Sequence, residues 1–270
     1  MTEPLVITSL TNARVKAIRA LDMRKERKET GLFVAEGASV LMTASEQGVW
    51  PVTIVALNGA DVAPPVAAYL KKAAAKGTEI LAVSTAVLEK LSHKDNPQTL
   101  LGVFCQRWAE PPKRPEKSET WLALEEIRDP GNLGTIIRTA DATGVSGIIL
   151  VGTTCDPWSR ECVRATMGSI FAVPVLRMDH DGFRALLKDW PGDTVGTHLA
   201  GREDFRRHVY RAPALVVMGG EGPGLTEETA RACRSLVRIP MAGRLDSLNL
   251  AVATALVLYQ AQSARLPEIR

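Results

Sequence analysis

Three loops constrain this chain more than any other feature, because each follows a short apolar run and opens a helix-like one. The first is Asp129-Pro130-Gly131-Asn132-Leu133-Gly134, ahead of Thr135-Ile136-Ile137-Arg138. The second is Gly219-Gly220-Glu221-Gly222-Pro223-Gly224-Leu225, after Ala214-Leu215-Val216-Val217-Met218. The third runs Ile239-Pro240-Met241-Ala242-Gly243-Arg244-Leu245-Asp246-Ser247-Leu248-Asn249, ahead of a long apolar helix-like run. Apolar strands alternating with helices predict a mostly parallel sheet covered on both faces, and such sheets bind ligands outside the carboxyl ends of their strands. The fold class predicted is α/β, and the chemistry is to be sought in these loops.

The pattern extends over the whole chain. Residues 121–124, 147–151, 173–176, 194–197, 215–218 and 236–239 read as strands of this sheet. Ahead of them lies WAEPPKRPEKSE, residues 108–119, whose prolines and alternating charges leave no apolar face to bury. It reads as a linker, which divides the chain into a domain over 1–107 and a second over 120–270. In the first, strand-like residues 32–35, 52–57, 79–83 and 100–105 alternate with helix-like residues 38–46, 66–75 and 85–91, predicting a smaller α/β domain.

Composition excludes some functions. Cys105, Cys155, Cys162 and Cys233 form no C-x-x-C pair and have no histidine at ligand spacing, so no metal site is expected. The first residues, MTEPLVITSLTNARVK, lack an apolar leader, and no apolar run approaches the length of a membrane span. A cytoplasmic protein without membrane partners is expected. The net charge of +3 permits a polyanionic partner without requiring one.

Each loop has a plain reading and a functional one. In the first, Asn132 is expected to cap the following helix. Arg138, on that helix, is unremarkable if solvated but demands an anion if buried. The glycines of the second loop permit close backbone approach to a ligand. Their spacing is wrong for G-x-G-x-x-G, and no Gly-Lys-Ser/Thr closes a phosphate loop. Glu221 would repel phosphate, which favours a ligand that offers donors or positive charge. In the third loop Ser247 or Asp246 is expected to cap the helix over 250–260, a role that leaves Asn249 unaccounted for.

Together NLGTIIRTA, GGEGPGL and IPMAGRLDSLN, in this order and each after a strand, resemble the SpoU (TrmH-like) methyltransferases of the SPOUT superfamily. The resemblance covers about residues 121–264, and Arg164-Ala165-Thr166-Met167-Gly168-Ser169 matches a further family segment. Gly31-Leu32-Phe33-Val34-Ala35-Glu36-Gly37 resembles the ribosomal-protein-like substrate-binding domain that many members carry in front. The resemblance implies methyl transfer from S-adenosylmethionine to a ribose 2′-hydroxyl of RNA, with ribosomal RNA favoured over tRNA by the two-domain layout. It also implies a deep trefoil knot, an exception to the usual rule against threading, and a homodimer with an active site completed across its interface. Carried over by residue, Gly219, Ile239 and Leu248 would contact the cofactor, with Thr197, Gly220 and Met241 nearby. Arg138 would have the central catalytic role, while Asn132, Glu221, Ser247 and Asn249 position the ribose, Arg138 and the methionine part of the cofactor. A guanidinium is effectively always protonated, so phosphate clamping and stabilisation of alkoxide charge suit Arg138 better than general-base work.

Arg14, Lys16, Arg19, Arg24, Lys25, Arg27 and Lys28 form a cationic stretch suited to RNA phosphates, although a solvated helix face is the competing reading. His93-Lys94 and the pair Arg160 and Arg164 are weaker candidates. The alternatives are a tRNA 2′-O-methyltransferase, a base methylator, a non-catalytic RNA-binding or assembly protein on the same fold, and a nucleotide-dependent oxidoreductase. Trp108, Trp158, the cysteines and the lone histidines are given no role.

Overall fold

The computed structural model describes residues 6–92 and 99–268. His93 and Lys94 therefore lie outside the described residues. In chain order the elements begin with α1 (Ala13–Ala20), α2 (Arg24–Thr30), β1 (Leu32–Glu36), α3 (Ala38–Glu46), β2 (Thr53–Leu57), α4 (Pro64–Ala75), β3 (Glu79–Val83), α5 (Thr85–Ser92) and β4 (Leu100–Cys105). They continue with β5 (Thr120–Glu125), α6 (Pro130–Ala142), β6 (Gly147–Val151), α7 (Arg160–Ala165), β7 (Val175–Met178), α8 (His180–Asp189) and β8 (Asp193–Thr197). The last are β9 (Glu203–Asp204), β10 (Ala214–Gly219), α9 (Glu227–Ala232), β11 (Ser235–Arg238) and α10 (Leu250–Gln262).

The chain folds as two compact units, of which the first joins Met1–Gln106 to Asp156–Ala172. Its sheet has the order β1-β4-β2-β3, with β2 and β3 parallel and the β4 pairings antiparallel. One core gathers Val15 and Ile18 of α1 and Val87, Leu88 and Leu91 of α5 over Val34, Val55, Val83 and Val103 of the strands. The segment after β6 adds a second apolar cluster. Its Trp158 ring lies 4.8 Å from Phe33, and Phe171 lies 4.7 Å from Phe104, ring centre to ring centre. This is where the structure departs from the domain boundaries read at the linker. Residues 156–172 interrupt the second unit in sequence but pack Trp158, which is buried, and Phe171 against the aromatic side chains of the first.

The second unit spans Arg107–Cys155 and Val173–Arg270. Its seven strands follow the order β7-β6-β5-β10-β8-β11-β9, and every pairing is parallel. All residues of β5, β6 and β10 are buried, as a doubly covered sheet requires. Trp121, Ile149, Leu215 and Val217 point into a core with Phe183, Leu187 and Trp190 of the α8 side. Leu122, Leu124, Ile148 and Leu150 alternate with them and are equally buried. Each such aliphatic side chain contributes roughly 1.5–3 kcal/mol through burial. The helices α6 and α10 pack against one another, and α10 also meets β10.

Strand boundaries differ from the sequence reading where polar chemistry decides them. The run read as 173–176 becomes strand only at Val175, because Pro174 has no amide proton to give a neighbour. The short β9 carried no apolar signal at all, since its two residues are Glu203 and Asp204. No helix among the described residues is long and apolar enough to cross a membrane.

Candidate cofactor and methyl-transfer site

The three loops leave the carboxyl ends of β5, β10 and β11, which the sheet order brings to one region of the second unit. The first helix is capped by Asp129 rather than by Asn132, since the Asp129 carboxylate accepts the Asn132 amide at 2.6 Å. With Pro130 in the first turn, the cap leaves the Asn132 side chain free for other work. The third loop shows the reverse. Asn249, not Ser247 or Asp246, caps α10, accepting the Ala251 amide at 2.9 Å and the Val252 amide at 3.3 Å. Ser247 instead donates to the neighbouring Asp246 carboxylate at 3.2 Å, and both are exposed.

These caps feed one polar relay. Glu221 Oε2 accepts the Arg128 amide at 3.0 Å, and its Oε1 accepts Asn132 Nδ2 at 2.9 Å. Asn132 Oδ1 in turn accepts Asn249 Nδ2 at 2.9 Å. The relay joins the glycine loop, the start of α6 and the start of α10, and it fixes the orientation of both asparagine amides. Burial pushes the Glu221 carboxyl up, but the Arg128 amide and then the Asn132 side chain outweigh it, so the group is held below the usual carboxylate range. The Glu221 carboxylate is thus engaged by groups of the protein itself, the Arg128 amide and the Asn132 side chain.

The glycine loop is folded tightly on itself. A Cβ on Gly219 would lie 2.0 Å from the Gly224 carbonyl carbon, and one on Gly220 would lie 2.5 Å from the Glu126 carbonyl oxygen. No side chain fits at either position without moving backbone. The loop forms one wall of a pocket of about 320 Å³, within the size range of small-molecule sites. Thr197, Gly219, Gly220, Ile239, Met241 and Leu248, the six positions expected at the cofactor, all line it, as do Glu221, Ser247 and Asn249. Asn132 stands behind this wall, tied to it through Glu221 and Asn249.

Arg138 is elsewhere. Its side chain is exposed on α6, has no ion-pair partner among the described residues, and lines neither this pocket nor the adjacent groove. The buried guanidinium that would have demanded an anion is not what the fold makes. That groove, of about 650 Å³, runs along α6 and α10 past Asn132, Thr135, Thr139, Val252, Leu256 and Tyr259. Asn249 lines both concavities.

The cationic stretch divides. Arg27 is buried, with its guanidinium donating to Asp156 at 2.9 Å and to the Leu21 and Asp22 carbonyls at 2.8 Å, so it supports the first unit and is withdrawn as an RNA contact. Arg14 is exposed but engaged by both oxygens of Glu79. Lys16, Arg24, Lys25 and Lys28 are exposed, Arg19 is half-buried, and Lys25 lies 3.8 Å from Glu29. Arg160 pairs with Asp22, and Arg164 with Glu36 at 3.1 Å. Sequence reasoning missed the Arg128 amide and His198, which lines the pocket. A backbone donor leaves no mark in composition, and His198 lies outside the three loops.

Comparison with known proteins bears on the whole chain. Residues 119–259 match the SpoU rRNA Methylase family, and residues 12–102 match the MRM3-like substrate binding domain. The chain is 31% identical over 267 residues to the 23S rRNA (uridine(2479)-2′-O)-methyltransferase of Streptomyces viridochromogenes, covering 94% of this chain and 91% of that protein. The AdoMet-bound rRNA methyltransferase from Sinorhizobium meliloti superposes with a TM-score of 0.90 at 45% identity, over 97% of this chain and 99% of that one. The SpoU methyltransferase AviRb from Streptomyces viridochromogenes, in complex with AdoMet, superposes at 0.84 with 28% identity, over 94% and 98%.

Proposed function

The chain belongs to the SpoU rRNA methylase family, and from that premise we propose that it transfers a methyl group from S-adenosylmethionine to a ribose 2′-hydroxyl of ribosomal RNA. The observation that carries the reading is the convergence of the six cofactor positions on one pocket whose back wall is the Glu221–Asn132–Asn249 relay. The glycine contacts make a cradle with no room for side chains, suited to a ligand read by main-chain groups. Residues 219–220, 239, 241 and 248 would hold the cofactor, which supplies an electrophilic methyl group on a sulfonium.

The chain's own residues divide the remaining work. The relay keeps Asn132 and Asn249 in fixed orientations, so that neither has to be ordered when the ribose arrives. Ser247, exposed at the pocket rim, is available to the target nucleotide. Arg138 acts through its guanidinium on the RNA phosphate and on charge developing at the 2′-oxygen. In one chain it stands apart from the pocket, so the proposal includes a homodimer in which the active site is completed across the interface. Support comes from α10, where Val252, Leu256 and Tyr259 are 50%, 41% and 49% exposed along the groove. A deep trefoil knot in which the C-terminal segment threads through a loop, RNA contacts from Lys16, Arg19, Arg24, Lys25 and Lys28, and action in the cytoplasm belong to the same proposal.

The test is transfer of labelled methyl from S-adenosylmethionine to unmodified ribosomal RNA, with nucleosides identified by mass spectrometry. A 2′-O-methylated nucleoside made by the wild type and lost in Arg138→Ala is expected. Label in transfer RNA alone, or in bases, would overturn the substrate assignment.

A further inference from the structure

The glycine loop is held from outside the pocket as well as from within. It starts at Gly220, which rests against the Glu126 carbonyl. At its far end Thr226 gives both its amide, at 2.8 Å, and its hydroxyl, at 2.9 Å, to the carboxylate of Glu125, and the Thr229 hydroxyl donates to the same group. Glu125 is wholly buried at the end of β5. Glu126 follows it with φ of 57°, a conformation that costs a non-glycine residue energy and persists only where its surroundings fix it. Two ties do so here. Glu126 Oε1 accepts the Thr153 amide at 2.8 Å and faces His180 Nε2 at 3.1 Å.

The other ring nitrogen of His180, Nδ1, lies 3.2 Å from Glu125 Oε1. One imidazole at the start of α8 therefore touches both carboxylates: that of Glu125, which holds the far end of the loop, and that of Glu126, whose backbone carbonyl abuts its start. It does not line the pocket. A neutral ring can donate to only one of the two, whereas an imidazolium donates to both.

We propose that His180 is a positioning residue for cofactor binding: it clamps Glu125 and Glu126, which hold the start and end of the glycine loop in the shape that makes the pocket wall. The inference rests on the reading of that pocket as the S-adenosylmethionine site. Loss of one charge-assisted hydrogen bond from such a clamp corresponds to about a tenfold change in affinity.

The experiment measures S-adenosylmethionine binding by calorimetry, and KM and kcat with ribosomal RNA, for wild type, His180→Ala, His180→Gln and Glu126→Gln. In His180→Ala, Kd and KM for S-adenosylmethionine rise about tenfold while kcat at saturation stays within about twofold. His180→Gln, which keeps one donor, recovers part of the loss. Glu126→Gln, a half-exposed site, moves in the same direction and carries the test should His180→Ala fail to fold. Unchanged affinity in His180→Ala and Glu126→Gln, or a fall in kcat with affinity intact, would overturn the inference while leaving the pocket assignment standing. Wild type that binds no S-adenosylmethionine would overturn both.

Discussion

Two concavities lie side by side on the second unit, and they are built on opposite principles. The pocket beside the glycine loop has four glycines in its wall, and the Glu221 carboxylate in that wall and the Asn132 amide behind it satisfy one another. The groove along α6 and α10 is walled by side chains, several of them apolar and half exposed. Satisfied polar groups and close backbone packing define a shape that one chain completes alone. Exposed apolar side chains along a helix gain free energy only when something covers them. On the proposed reading the contrast separates a site for the cofactor from a surface for a second copy of the chain, with Asn249 lining both concavities.

Arg138→Ala tests the division most sharply. Because Arg138 lines neither concavity of the single chain, its loss should lower kcat by about 10²–10³, the range for a group stabilising transition-state charge, while Kd for S-adenosylmethionine stays within about twofold. A comparable loss of cofactor affinity would place Arg138 with the pocket and break the distinction. Next in size is Leu256→Asp, a charge set in the middle of the groove. Sedimentation should show dimers dissociating about 100-fold more readily, with methyl transfer falling in step and cofactor binding by the monomer retained. Gly219→Ala attacks the other concavity. The added methyl must displace the Gly224 backbone, so cofactor affinity should drop by about tenfold or more with the dimer intact, as calorimetry and sedimentation together would register.

Smaller effects belong to the boundary. Asn249→Ala removes both the α10 cap and the bond to Asn132 and should cost about 1–2 kcal/mol of stability in denaturant titration. The smallest is a pH effect at Glu221. Its folded carboxyl is held below the usual value, so its stabilising contribution is fully present above the unfolded pKa of about 4.3 and is lost as pH falls through the lower folded value. Stability attributable to this group should therefore be flat through neutrality and decline only in strong acid. Glu221→Gln, compared with the wild type, should remove that acid limb.

The pocket was more legible in the sequence than the groove. Glycine, proline and asparagine have backbone and capping chemistry that is local to the sequence, so the loops after β5, β10 and β11 are legible in it. The particular caps did not. Asp129 displaced Asn132 and Asn249 displaced Ser247, because several capping residues sit within a turn of each helix start and only the backbone path selects among them. The groove is carried by α10, apolar almost all round, for which burial in a core and exposure at an interface read alike. Arg27 illustrates the complementary error. Within a run of cations nothing in the sequence marks the one that Asp156, 129 residues away, withdraws from solvent.

The excursion of residues 156–172 into the first unit has a bearing on how the chain comes into being. A ribosome releases this polypeptide from its amino end, and every strand of the first sheet has been made once Cys105 is polymerised. Yet Phe33 and Phe104 still await Trp158 and Phe171, which are added only after β5, α6 and β6 have been translated. At roughly 5–20 residues per second this interval lasts several seconds. During it the nascent amino-terminal half carries an uncovered aromatic face, a period in which a chaperone or premature self-association would compete with its own later sequence.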